Sequence, residues 1–185
     1  MVNNLVILYM LKELLNIFDK AYRFKVDYKL NTQLHNIAIK HLGLQNMNQL
    51  RDRYEGQTYL NRFLTKSFSE FAVQKMLGVD FVTLELKENK RYKPEVLFND
   101  KTFEIIASSL DEYPLIPIGN YDYAIFTFVN IERREVYITG FASAAVLLNA
   151  VVSADLSPTK AKAYIGTLKD FSQIDFLDKL LIENE

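Results

Sequence analysis

The chain has 185 residues, 49% hydrophobic and 24% charged, with a formal net charge of −1. That composition belongs to a globular protein able to bury a core, in one domain or one domain with a helical extension. Cysteine is absent, which excludes disulfides and thiolate-held zinc or iron–sulfur centres, and two histidines make a multi-histidine site unlikely on numbers alone. Any metal must be held mainly by carboxylate oxygens, which favours Mg²⁺ or Mn²⁺.

Charge is unevenly spread. Residues 1–66 carry ten Lys/Arg against five Asp/Glu, and residues 67–185 carry twelve against eighteen. A net of +5 followed by −6 fits a basic docking surface joined to an acidic centre; scattered solvated charge explains it equally well.

Leu5, Leu8, Leu11, Leu15 and Phe18 recur at helical spacing and predict an amphipathic helix over residues 3–19. The apolar start, Met1 to Met10, lacks a basic leader and is too short to span a bilayer, so a cytoplasmic protein is expected. Asn31 is placed to cap a second helix ending at Leu42 before Gly43, and a third helical pattern covers Met47 to Tyr54. Ser67 and Glu70 have the spacing of a capping box opening a helix that Gly78 closes.

The period then changes. Phe81 to Lys87 alternates as a strand, and Glu95–Phe98 with Thr102–Ala107 forms a hairpin about Asn99-Asp100. Tyr121–Val129 and Glu135–Phe141 are apolar enough for central strands, joined by Glu132-Arg133-Arg134. Ala142–Val152 and Phe171–Ile182 read as helices. The expected fold class is α/β: a mixed central sheet flanked by helices over residues 61–185, preceded by a helical region over 1–60.

Pro94-Glu95 opens the hairpin, and Glu104-Ile105-Ile106 lies on its second strand. With the Glu70 helix before them and Tyr121-Asp122-Tyr123 after, residues 67–148 resemble the PD-(D/E)xK, or restriction-endonuclease-like, nuclease superfamily. The resemblance implies a Mg²⁺- or Mn²⁺-dependent DNA endonuclease of restriction or homing type, often a homodimer. Glu95 and Glu104 would hold metal, with Glu70 joining the shell. Glutamate at 95 in place of aspartate only lengthens the arm. Ile106 stands where the family has lysine, and an isoleucine binds neither water nor phosphate. Three explanations stay open: the cation has moved (Lys101, Lys93 or Lys75), the domain binds nucleic acid or a protein partner without cutting, or the chain is an inactivated variant.

Each residue also has an ordinary explanation. Glu70 serves equally as a capping-box glutamate and Glu95 as a solvated turn residue, whereas Glu104 on an apolar strand calls for a partner or a metal. Asp122 is expected to pair with an arginine or to face outward rather than bind metal, and His35 and His41 to be structural or exposed. Lys25, Lys29, Lys40, Arg51 and Arg53, with Lys20 and Arg23, are the basic residues expected to meet DNA phosphates; Lys90, Arg91 and Lys93, beside Tyr92, form a second such group, for which a solvated strand edge is the preferred ordinary explanation. Nothing in the sequence separates DNA from RNA, or a free nuclease from part of a polymerase or defence assembly. No phosphate-binding loop or dinucleotide fingerprint occurs.

Overall fold

A computed structural model describes residues 21–44, 46, 48, 49, 56–83, 96–110, 115–117, 120–145, 152–155 and 162–165. Strand β1 (Tyr22–Lys25) is followed by helices α1 (Tyr28–His41) and α2 (Gly56–Leu77). Then come β2 (Val96–Phe98), β3 (Lys101–Ser109), β4 (Leu115–Pro117), β5 (Tyr123–Asn130), β6 (Glu135–Ser143), β7 (Val152–Asp155) and β8 (Lys162–Ile165). The mixed sheet and flanking helices make this an α/β protein.

The main sheet has five strands in the order β1-β6-β5-β3-β2. Only β3 and β5 run parallel, and the crossover between them contains β4, which joins β8 and β7 in a three-stranded antiparallel sheet. The β2–β3 hairpin forms as expected. Asn99 and Asp100 both take positive φ, 50° and 57°, the backbone a two-residue hairpin turn demands and that asparagine and aspartate tolerate.

Helix α1 starts four residues before the expected Asn31. Asp27 is its N-cap, the Oδ1 accepting from the Leu30 N–H at 2.7 Å, and Gly43 follows its end at φ +67°. Helix α2 corrects a larger expectation. Ser67 is not an N-cap: the helix begins at Gly56, so Ser67 and Glu70 are both mid-helix and buried. Leu60, Leu64, Phe68 and Ala72 recur every four residues as one buried stripe, and that stripe, not a local capping motif, sets the helix's extent. Gly78 does end it, at φ +68° with its N–H donating to Gln74 O.

The stripe packs against one face of the sheet, where it meets Phe103, Ile125, Val129, Val136 and Ile138. From Ala124 to Val129 every residue of β5 is buried, as expected of a strand covered on both faces. Alternation gives Ile125, Thr127 and Val129 to the α2 side and Ala124, Phe126 and Phe128 to the other. In β6 the pairing jumps from Phe126↔Gly140 to Thr127↔Ile138, leaving Thr139 as an extra bulged residue. The bulge changes the parity of the strand, so Phe141 joins Val136 and Ile138 in the α2 core.

Further expectations are corrected. Tyr22–Lys25, within the stretch read as helical, is a strand paired with β6. Phe81–Thr83 are not in a strand; two of these amides donate to the Gln74 side chain, at 3.0 and 2.8 Å, and follow the helix end instead. Ala142 and Ser143 continue β6 and Val152 opens β7, so the helix expected over Ala142–Val152 is shorter at both ends; Ala144 and Ala145 are helical, and residues 146–151 lie outside the described residues. The expected helices over 3–19 and Phe171–Ile182, the strand beyond Thr83 and most of the pattern over Met47–Tyr54 lie outside the described residues. Among the described residues no helix is long and apolar enough to cross a membrane.

Candidate carboxylate site and basic surface

Helix α2 brings Glu70 to the sheet. Its neighbour Ser69 donates to Thr65 O at 2.8 Å, and Thr127 Oγ1 of β5 lies 2.7 Å from Ser69 Oγ and 3.1 Å from Ile106 O. These buried hydroxyls tie the middle of α2 to the central strands at the level of Ile106. Glu70 itself is only 9% exposed. Burial pushes its carboxyl up to about 7; Lys66, 3.8 Å away one helical turn earlier, pulls it down, and the charge of Glu104 pushes it up.

Glu70 and Glu104 are therefore close enough to sense one another, although burial and Lys66 both act on Glu70 more strongly. Along β3, Phe103 and Ile105 pack towards α2, and alternation sends Glu104, Ile106 and Ser108 to the opposite face. Ile106 is buried there at 3% exposure. Lys101 is exposed at the turn end of β3, three residues before Glu104 and on the other face; its charge acts on Asp122. Lys75 is exposed in the last turn of α2. The lysine beside a candidate carboxylate is Lys66, which sequence reasoning passed over. Once residues 56–77 are known to be one helix, its i,i+4 spacing from Glu70 is the signal that finds it.

Glu95, Lys93, Arg51, Arg53, Lys90 and Arg91 lie outside the described residues. Among the described residues no three Asp, Glu or His side chains are placed to hold a metal ion together. Glu70 and Glu104 alone, leaving a helix and the far face of a strand, do not make such a set.

Asp122 and both histidines have structural partners. Asp122 Oδ2 accepts from the N–H and Oγ1 of Thr102, at 2.8 and 2.9 Å, and these bonds hold its carboxyl below the usual range. It is exposed, as expected, but its partner is a threonine. His35 Nδ1 lies 2.8 Å from Asn31 O, and His41 stacks on Tyr59.

Of the expected phosphate contacts, Lys25, Lys29 and Lys40 are exposed, at the end of β1 and in the first and last turns of α1. Lys25 and Arg23 surround Glu135 of β6. Arg23 Nη2 is 2.6 Å and Lys25 Nζ 3.3 Å from Glu135 Oε1, and Tyr137 OH donates to Oε2 at 2.8 Å. Hydrogen bonding from Arg23 first, then from Tyr137 and Lys25, lowers the Glu135 carboxyl to about 2. The β5–β6 turn closes over this group. Lys25 Nζ donates to Arg133 O, and the Arg134 guanidinium lies over the Tyr28 ring, 5.8 Å from its centre. Compared with protein-family models, with curated proteins and with solved structures, the chain matches none.

Proposed function

We propose that this chain is a nucleic-acid-binding module on a restriction-endonuclease-like core in which cleavage has been given up. The observation that carries the reading is Ile106: it shares a strand face with Glu104 and is buried at 3% exposure, where a catalytic ammonium would need water and a phosphate. Support for the core comes from the order of elements. A helix bearing a buried glutamate, a hairpin, a parallel partner strand and an antiparallel strand follow one another as the resemblance implies. Support for nucleic-acid binding comes from exposed Lys25, Lys29 and Lys40 in a chain of net charge −1.

The test is incubation with single- and double-stranded DNA and RNA in Mg²⁺ or Mn²⁺, following both retention and cleavage. Salt-dependent binding without cleavage is expected. Turnover by the wild-type chain would overturn the loss of catalysis, and DNA–RNA competition would give the preference.

A second reading keeps the enzyme: a Mg²⁺- or Mn²⁺-dependent DNA endonuclease, working as a dimer, with Glu70, Glu95 and Glu104 at its centre. It is favoured by the influence of Glu104 on Glu70 and by the Lys66 ammonium 3.8 Å from Glu70, a cation where the motif strand has none. Wild-type cleavage lost in both Glu104→Gln and Lys66→Met would establish it; the absence of any metal-dependent cleavage removes it.

A further inference from the structure

Two segments far apart in sequence build a surface that no local motif announces. Strand β1 and the start of α1 supply Arg23, Lys25 and Tyr28; the β5–β6 turn supplies Arg133 and Arg134. The contacts joining them are Lys25 Nζ to Arg133 O, Val26 N to Arg134 O at 2.9 Å, and the Arg134 guanidinium over Tyr28. With Lys29, five cations meet three acids, Asp27, Glu132 and Glu135, for a local +2 on a chain of −1. Of those acids, Asp27 is engaged as the α1 cap and Glu135 holds Arg23 and Lys25.

The aromatic content sets this surface apart from an ordinary solvated cluster. Tyr28 is 73% exposed and Tyr22 43%. A tyrosine ring held out to solvent with a guanidinium against it offers what a nucleobase stacks on, and the cations around it suit a phosphate chain. Duplex backbone recognition needs no such ring, because stacked bases keep their faces to themselves.

We infer that Arg23, Lys25, Arg133 and Arg134 with Tyr28 form a docking site for single-stranded nucleic acid. The inference rests on the nucleic-acid reading above and names the surface that performs it. In the main sheet the site is well removed from the carboxylates. Glu104 is level with Ala124 on β5 and Glu135 with Asn130, so the two lie roughly 20 Å apart along the strands and two strand spacings, roughly 10 Å, apart across them.

The experiment measures binding of fluorescein-labelled single-stranded oligonucleotides to the full chain over a range of salt, using the wild type, Arg133→Gln/Arg134→Asn, Tyr28→Leu and Tyr28→Phe. Asparagine is chosen at 134 because that residue has φ +55°, which asparagine tolerates, and thermal melting checks that each variant folds. Loss of both arginines is expected to flatten the slope of log K against log salt by about 1.4. Tyr28→Leu is expected to weaken binding about fivefold or more and Tyr28→Phe to restore it. Wild-type binding unchanged in the arginine and Tyr28→Leu variants overturns this site and leaves the nucleic-acid reading standing. No binding by the wild type overturns both. Tighter binding to a duplex of the same sequence, or to vesicles rich in anionic lipid, overturns the assignment to single strands.

Discussion

Thr102 and Asp122 grip each other at the start of the parallel ladder. The Asp122 carboxylate accepts two hydrogen bonds from Thr102, and the Asp122 N–H returns one to Thr102 O at 3.0 Å. The next residues along, Phe103 and Tyr123, are the first β3–β5 pair, with their rings stacked 5.4 Å apart. A parallel pair has no tight turn to set its register, so this clip takes that part at the end of the crossover. Asp122→Ala is expected to lower the melting midpoint and to speed hydrogen exchange at the Thr102 amide. Because the folded carboxyl is held below its usual value, its contribution is complete above that value and fades as pH falls. Equal exchange rates in wild type and variant would show that the clip is ornamental.

Glu70 gives the opposite pH dependence. Its carboxyl titrates at about 7 in the folded protein against an ordinary 4.5. Below pH 4.5 it is protonated in both states and has no effect. As pH rises from 4.5 to 7 the unfolded chain ionises and the folded one does not, so stability falls, then levels off above 7 at a cost of about 3 kcal/mol. Glu70→Gln removes that cost. Urea unfolding is expected to find the variant more stable than wild type at pH 8 and equal to it at pH 4.5. A variant less stable at pH 8 would mean that the carboxylate has a compensating partner beyond Lys66.

Placing at position 106 the lysine that the nuclease resemblance implies is expected to be costly. Ile106→Lys places an ammonium where a 3%-exposed side chain now packs, so denaturant unfolding should show a loss of about 3 kcal/mol or more. Ile106→Met, similar in volume, should lose less than about 1.5 kcal/mol. A small loss for lysine would show that Glu104, two residues away on the same face, receives the charge; cleavage should then be assayed with that variant.

The core stripe sets a reference for these effects. Phe68 is fully buried at the centre of α2, and Phe68→Ala is expected to cost about 3–5 kcal/mol in chemical denaturation. A loss near 1 kcal/mol would mean that the helix collapses readily into the gap.

Glu135 links stability to the basic surface. Its carboxyl is lowered to about 2 from 4.5, so its stabilising effect is complete above 4.5 and is lost as pH falls towards 2. Arg23 and Lys25 are more than half exposed, and solvent limits the effect to about 1 kcal/mol. Glu135→Gln should therefore unfold only slightly more easily, yet bind single-stranded oligonucleotides more tightly, because Arg23 and Lys25 are released to phosphate. Weaker binding by this variant would indicate that Glu135 positions the two cations rather than competing for them.

The hairpin and the two central strands were legible because their signals are local. Asn99-Asp100 marks a tight turn, and the apolar run through β5 marks a strand buried on both faces. The start of α2 was not, because a Ser–Glu spacing imitates a cap when the flanking residues are helix-formers too; only the buried stripe from Leu60 shows the helix passing through. Strand β1 is four residues of mixed polarity, and its conformation comes from pairing with β6, from Tyr22↔Ile138 to Lys25↔Glu135, partners 110 to 116 positions away and invisible to any local window. The carboxylates were readable as residues but not as a site, since alternation along β3 and the rotation of Glu70 about α2 depend on packing. Arg133 and Arg134 read as an ordinary charged turn until the fold carried that turn to Lys25 and Tyr28.

The bulged Thr139 sets a rule for engineering β6. Its hydroxyl reaches Phe126 O at 3.4 Å, so the extra residue is tethered rather than loose. Deleting it would leave Gly140 opposite Phe126 and Phe141 opposite Ile125 in unbroken alternation, so Phe141 would stay beneath α2 and the strand would lose only its local kink and this tether. Loss of residue 139 itself should therefore be tolerated far better than a one-residue deletion elsewhere in β6, which would turn the side chains beyond it to the other face.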